Sequence, residues 1–190
     1  MFRRNERKQQ RILRRFRGDQ RGVVAIEFAL VAVPFFALLF ASLEGALVFW
    51  SNQVLDEAVS QASRTLYTGG FQRQTKIVPT AQIPEVLKKE VCDRVKGLVN
   101  CSQIKIDVRT VVSFAAGVPD PIITDEDGVT RRLNPAFGEY HRPGPSEITL
   151  VRAAVEYPVY ASILGANKSN LTGGKRLLIS STAFRTEQFE

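Results

Sequence analysis

Two residues near the N-terminus have types and spacing that bear on chemistry, Gly22 and Glu27. Gly22 closes a strongly basic stretch and opens a near-continuous apolar run, residues 23–50. Glu27 is the fifth residue of that run. A carboxylate inside a membrane helix costs about 2.5–3.5 kcal/mol at mid-span on insertion scales, and it usually marks function. Near the inner end of a span the cost is lower, but the placement still needs a reason.

No other constellation points to catalysis. The single histidine, His141, sits beside Arg142 and Pro143 and reads as a loop residue. There is no Gly-x-Ser-x-Gly, no His-Glu-x-x-His and no phosphate-binding glycine loop. Asp125, Glu126 and Asp127 lack the alternating ligands and closing Glu of a calcium loop, so they read as a solvated turn. Asn167-Lys168-Ser169 and Asn170-Leu171-Thr172 fit a glycosylation pattern that is frequent by chance. The expectation is a protein that is not an enzyme, with no cofactor and no metal.

The charge distribution separates the two ends of the chain. Residues 1–22 hold nine Lys or Arg against Glu6 and Asp19, which accounts for the net +7 of the whole protein. The remaining residues hold 17 charges of each sign and are neutral. A nucleic-acid-binding domain would spread its basic footprint over a folded face, so no nucleic acid is expected as a partner.

The apolar run is long enough to cross a bilayer, which takes roughly 20 apolar residues. Its basic flank places the N-terminal side in the cytoplasm. The rest of the chain then lies outside, in a bacterium the periplasm. Three readings of this N-terminus compete. A secretory signal peptide has a shorter apolar core of about 7–15 residues and a small-residue cleavage site. An uncleaved signal anchor explains the charges and the span but neither Gly22 nor Glu27. A prepilin-type leader cut after Gly22 explains all four.

The residues that carry the third reading are Arg21-Gly22-Val23-Val24-Ala25-Ile26-Glu27-Phe28-Ala29-Leu30-Val31. This stretch resembles the class III leader of type IV pilins and pseudopilins, and more closely the TadE-like family of the tight-adherence (Flp pilus) machinery. The C-terminal Ser181-Thr182-Ala183-Phe184-Arg185-Thr186-Glu187-Gln188-Phe189 is similar to the way such proteins end. The resemblance implies a pilin-like layout, cleavage between Gly22 and Val23 by a prepilin peptidase, and partners among other pilin or pseudopilin subunits and the assembly platform. It assigns processing to Gly22 and Val23 and lateral assembly to Glu27 and Phe28. Physical chemistry agrees with those roles. Cleavage would free the α-amine of Val23, cationic at neutral pH with a pKa near 8. Glu27, about one helical turn in, could pair with its own amine or a neighbour's, and pairing offsets the desolvation of both charges.

The fold must then position that segment. Residues 23–67 read as one helix of about 68 Å at 1.5 Å per residue, transmembrane over 23–50 and amphipathic over 51–70. Its outer stripe is Trp50, Val54, Ala58, Ala62 and Leu66, with Leu55 and Val59 beside it. Pro34 should kink it or break one hydrogen bond. Glu44 falls near the outer interface. Thr68-Gly69-Gly70 stops the helix.

Residues 71–190 are expected to form a small exported domain. Residues 71–82 read as linker and residues 84–96 as a short helix. Strands are expected at 104–109, 148–157 and 175–186, forming one antiparallel sheet packed on the long helix. The fold class is therefore α+β and pilin-like. Residues 117–147 hold five of the nine prolines and read as a mobile connection, with Asp127-Gly128 as the tip of a small hairpin. Cys92 and Cys101, both in the exported part, are expected to form a disulfide in an oxidising compartment.

The functional expectation is a membrane-anchored minor pseudopilin-like structural protein of the inner membrane. It is single-pass, with a cytoplasmic N-terminus and a periplasmic domain. Two other classes remain open. One is an uncleaved signal-anchored binding protein whose Pro-rich loop takes a ligand. The other is a regulator whose basic tail works in the cytoplasm.

Overall fold

A computed structural model describes residues 22–79, 82–160 and 169–188. The basic leader up to Arg21, the Asn167 acceptor pattern and Phe189 at the end of the C-terminal motif lie outside the described residues. The chain forms two compact units, Met1–Ser42 and Leu43–Glu190. One helix, α1 (Val23–Tyr67), supplies the described part of the first unit and enters the second.

In the first unit, residues 23–42 form an uninterrupted turn-after-turn helix rich in Ala, Leu, Val and Phe. The helix continues through Pro34, where the ring removes one backbone donor. Ser42 returns its hydroxyl to the Leu39 carbonyl at 2.8 Å, so its polar group is satisfied within the helix.

In the second unit, α1 buries Val48, Ser51, Leu55, Ala58, Val59, Ala62, Ser63 and Leu66. The stripe expected from four-residue spacing is only partly right. Trp50 is 56% exposed and Val54 half-buried. The reason is angular drift. Each four-residue step overshoots a helical turn by about 40°, so Trp50 lies about 160° around the helix from Leu66. Gly69, in the left-handed region at φ 71, ends the helix as the sequence signals.

The stretch expected to be linker contains a second helix, α2 (Gly70–Gln74). Phe71 is 1% exposed and Gln72 donates to the Leu66 carbonyl at 3.2 Å. A lone Phe among polar residues has no period to read, so the sequence does not reveal this anchor. The next helix, α3 (Ile83–Val95), buries Ile83, Leu87, Val91 and Val95, one face at helical spacing, and ends before Gly97 at φ 87. A single 3-10 turn, Cys101–Gln103, leads into the sheet.

The three expected strands are present as β1 (Lys105–Val111), β4 (Ile148–Pro158) and β5 (Lys175–Arg185). They form an antiparallel sheet in the order β1-β4-β5. One face packs on the helices, where Ile106, Val108, Val151, Ala153, Val155 and Leu178 meet the apolar sides of α1 and α3. The fold is thus α+β, a long N-terminal helix on a small antiparallel sheet.

The other face differs from expectation. A half-buried sheet would leave it wet, yet the Pro-rich stretch covers it. A small hairpin, β2 (Ile122–Thr124) with β3 (Arg131–Leu133), carries the Asp127-Gly128 turn as the sequence indicates. Phe137, Ala154, Leu171 and Leu177 make a second core there, with Ile122, Leu133 and Ile179 packed against it. In place of a mobile connection, the stretch is tied to the sheet by specific hydrogen bonds.

Candidate processing and assembly segment

The candidate site is the start of α1. Gly22 is exposed and Val23 is the first residue of the helix, so the Gly22–Val23 bond lies at the helix boundary. A Cβ built on Gly22 meets nothing within 4 Å. The chain's own packing therefore gives no reason for glycine at this position.

From Val23 onward the helix surface is apolar and open. Val24, Phe28, Leu30 and Val31 are each 70% exposed or more. The most apolar 18-residue window of α1 has a mean hydropathy of 2.6 and none of it is buried inside the protein. Phe35, Phe36 and Phe40 touch one another through their rings, with centroids 5.5 and 6.4 Å apart. Such a surface is stable against lipid or against other apolar helices, not against water.

Glu27 is exposed on that surface. Among the described residues its carboxylate makes no hydrogen bond or ion pair. It follows Val23 by four positions, so the two share one face of the helix. Phe28, 71% exposed, stands next to it.

Three further features lie in the second unit. The Glu44 carboxylate accepts a hydrogen bond from the backbone N–H of Tyr160, just past β4. Cys92 on α3 and Cys101 at the 3-10 turn are joined, with Cα atoms 5.6 Å apart, which ties helix to sheet. The third feature was not legible as a site at all. Asp107 on β1 is fully buried beside its register partner Arg152 on β4, itself 4% exposed. Arg152 donates from Nη2 and Nε to Asp107 Oδ2 at 2.6 and 3.0 Å. Arg109 Nε donates to Asp107 Oδ1 at 3.0 Å, and the backbone N–H groups of Gly138 and Glu139 donate to the same oxygen at 3.2 and 3.1 Å. Arg152 Nη1 also reaches the Pro119 carbonyl at 2.8 Å, and its guanidinium lies 4.9 Å from the Phe137 ring centre.

Burial works against the charge on Asp107, but the hydrogen bonds from Arg152, Arg109 and Gly138 outweigh it. The carboxyl is held below its ordinary range. This cluster is a fastening. It binds the Pro-rich cover to the sheet through Pro119, Gly138 and Glu139. The acidic turn is likewise structural. Asp127 Oδ1 accepts from the N–H groups of Val129 and Thr130 at 2.9 and 2.7 Å, and Asp125 pairs with Arg132 at 2.7 Å. His141 continues the cover, its N–H bonded to the Val108 carbonyl at 2.8 Å.

Residues 22–64, under a quarter of the chain, match the family model described as TadE-like protein. The match begins at Gly22 and contains Glu27, so it takes in the candidate processing and assembly residues and most of α1. No curated protein and no solved structure matches the chain.

Proposed function

The chain carries a TadE-like N-terminal segment, and from that premise we propose that it is a minor pseudopilin-like structural subunit of a tight-adherence (Flp-type) pilus or related secretion machine. In this reading it is anchored in the inner membrane by residues 23–50, with its N-terminus in the cytoplasm and the folded domain beyond the span in the periplasm. A prepilin peptidase removes residues 1–22, and Val23 becomes the first mature residue.

One observation carries the reading: three boundaries fall together at Gly22 and Val23, with a carboxylate close behind. The net positive charge ends there, the helix begins there, the family match begins there, and an exposed Glu follows at the fifth apolar position. Gly22 has no packing role inside the chain, which suits a residue selected by an outside agent. A glycine lets a protease approach the backbone closely. Upstream arginines hold the leader at the anionic inner leaflet.

After cleavage, the Val23 amine and the Glu27 carboxylate are opposite charges at the edge of one apolar surface. Glu27 is left without a partner among the described residues. A neighbouring subunit packed in register offers its own amine, and each subunit then satisfies the next. That is a rule for ordered lateral assembly and requires no catalysis by this chain. In the periplasm the Cys92–Cys101 bond is maintained by an oxidising environment.

The test is the intact mass and N-terminal peptide of protein extracted from membranes. A start at Val23 is expected. A start at Met1 overturns processing, and a start near Ser42 removes the anchor. Glu27→Gln should still be inserted and cleaved but fail to enter pili. Normal incorporation of that variant would overturn the role of Glu27.

A further inference from the structure

The exposed side of α1 changes chemistry inside the second unit. Up to Trp50 its exposed residues are apolar: Leu43, Ala46, Leu47, Phe49 and Trp50. From Gln53 to Arg64 they are polar: Gln53, Glu57, Ser60 and Arg64. A helix facing water throughout would not keep Phe49 67% and Trp50 56% exposed beside a packed domain. The switch marks a boundary between two solvents.

Length along the helix agrees. Val23 to Trp50 is 28 residues, about 42 Å at 1.5 Å per residue. A bilayer with its headgroup layers is about 40–45 Å thick. A helix beginning at the inner surface therefore reaches the outer headgroups at Trp50, where tryptophan and tyrosine are favoured.

The domain has parts at the same level. The Tyr160 N–H is bonded to Glu44, six residues before Trp50, and the Tyr160 ring is 69% exposed. The start of β5 is there too. Arg176 lines a groove of about 540 Å³ together with Phe49 and Asn52. Exposed Lys175 precedes it and pairs with Glu156 at 2.7 Å. The groove has apolar walls at Val48, Phe49 and Leu177, with Arg176 in its lining. That combination fits a phospholipid, with acyl carbon below and phosphate above.

We propose that the base of the domain is a lipid-binding surface. Trp50, Phe49 and Tyr160 sit in the outer headgroup layer of the membrane that α1 spans, with the basic start of β5 at the level of the phosphates. The inference rests on the membrane-anchored reading and adds to it a seating depth. The domain is held against the bilayer rather than carried above it on a stalk. The Glu44–Tyr160 bond lies about 9 Å below Trp50 along the helix, at the inner edge of the headgroup layer, where the carboxylate needs a partner because water is scarce. Seating of this kind would fix the height at which neighbouring subunits meet.

Trp50 is the only tryptophan in the chain, so the unmodified full-length protein carries its own depth gauge. It is reconstituted in phosphatidylethanolamine–phosphatidylglycerol vesicles containing lipids brominated at increasing depth. The expected result is a blue-shifted emission, strong quenching by the shallowest bromines and little by aqueous iodide. Nitroxides are placed by Tyr160→Cys, by Val112→Cys in the exposed loop after β1, and by Val33→Cys in the span. Tyr160 should collide with oxygen several-fold more, relative to a water-soluble nickel chelate, than Val112 does. If Val33 is in lipid while Trp50 and Tyr160 are in water, the seating is overturned and the anchor stands. If Val33 is also in water, both fall.

Discussion

Removing the Asp107 carboxylate should unfasten the domain, and the size of the loss can be worked from its contacts. Asp107→Ala leaves the Arg152 side chain, 5% exposed, without its two charge-assisted hydrogen bonds. Breaking a buried pair by removing one partner costs about 3–5 kcal/mol, because the other charge stays behind. The Arg109 side chain is 16% exposed and is also paired with Glu139 at 3.2 Å, so its share is the smaller one. Two backbone N–H groups, at Gly138 and Glu139, lose their acceptor as well. Against a domain stability of about 5–15 kcal/mol, this is a large fraction.

The assay is urea unfolding of the oxidised full-length protein in detergent, followed by near-ultraviolet circular dichroism. The packed Tyr67–Phe184 ring pair, centroids 6.0 Å apart, gives that signal a tertiary origin. With a slope of about 2 kcal/mol per molar, the midpoint should fall by about 1.5–2.5 M. Limited proteolysis should begin to cut within residues 112–147, since the cover has lost its clasp. A second variant separates charge from packing. Asp107→Val with Arg152→Met replaces the pair by apolar groups and should recover most of the loss. A midpoint shift under about 0.5 M for Asp107→Ala, or a double variant no better than the single one, would refute the argument.

Three further outcomes follow from the same contacts. Because the folded Asp107 carboxyl is held below its unfolded value, near 3.9, its contribution is complete above that pH. It is lost as pH falls through the folded value, so the urea midpoint should drop on acidification below about pH 4, and a rise there would contradict the assignment. Reducing Cys92–Cys101, or Cys92→Ser with Cys101→Ser, should cost about 2.7 kcal/mol by loop closure over nine positions. An unchanged thermal midpoint on reduction would argue against a fastening role. Phe71→Ala removes the largest fully buried side chain among the described residues and should cost about 3–5 kcal/mol; a loss below about 1 kcal/mol would mean that α2 is an unstressed connection, as its sequence reads.

The long helix was legible because its signals are local and mutually consistent. An apolar run, an amphipathic continuation and a Gly-Gly stop describe residues 23–67 without reference to anything else. The three strands were legible for a similar reason, since period-two alternation needs only neighbours in sequence. What lay beyond reach was the environment of the second sheet face. Alternation assigns Asp107 and Arg152 to the face away from the helices, which is correct, but it does not say what covers that face. The cover is built from Ile122, Leu133 and Phe137, apolar residues too irregularly spaced to signal packing. One clue was present. Asp107 and Arg152 are opposite charges on the same face of two strands, and pairing them gives the register observed. Trp50 failed for another reason: four-residue spacing was extended over too many turns, and the drift carried it to the outer side.

Three carboxylates in apolar surroundings divide the molecule by how each is satisfied. Asp107 is enclosed by two guanidinium groups and two backbone N–H groups, so its charge is neutralised within the fold. Glu44 is met by the N–H of Tyr160 from the connection after β4. Glu27 has no hydrogen-bonding or charged partner among the described residues, although it stands on the most apolar surface of the chain. An unpaired charge in lipid is destabilising by a few kcal/mol, and the chain shows at Asp107 and Glu44 that it can supply partners where it folds. The one carboxylate it leaves open lies five residues after Gly22, beside the position where cleavage would create a new cation. In the proposed reading, leaving that group open would make isolated subunits less stable than packed ones, and the difference would drive assembly. On this argument Glu27→Gln should make the lone subunit easier to insert and harder to polymerise. A purely structural Glu27 would show neither effect.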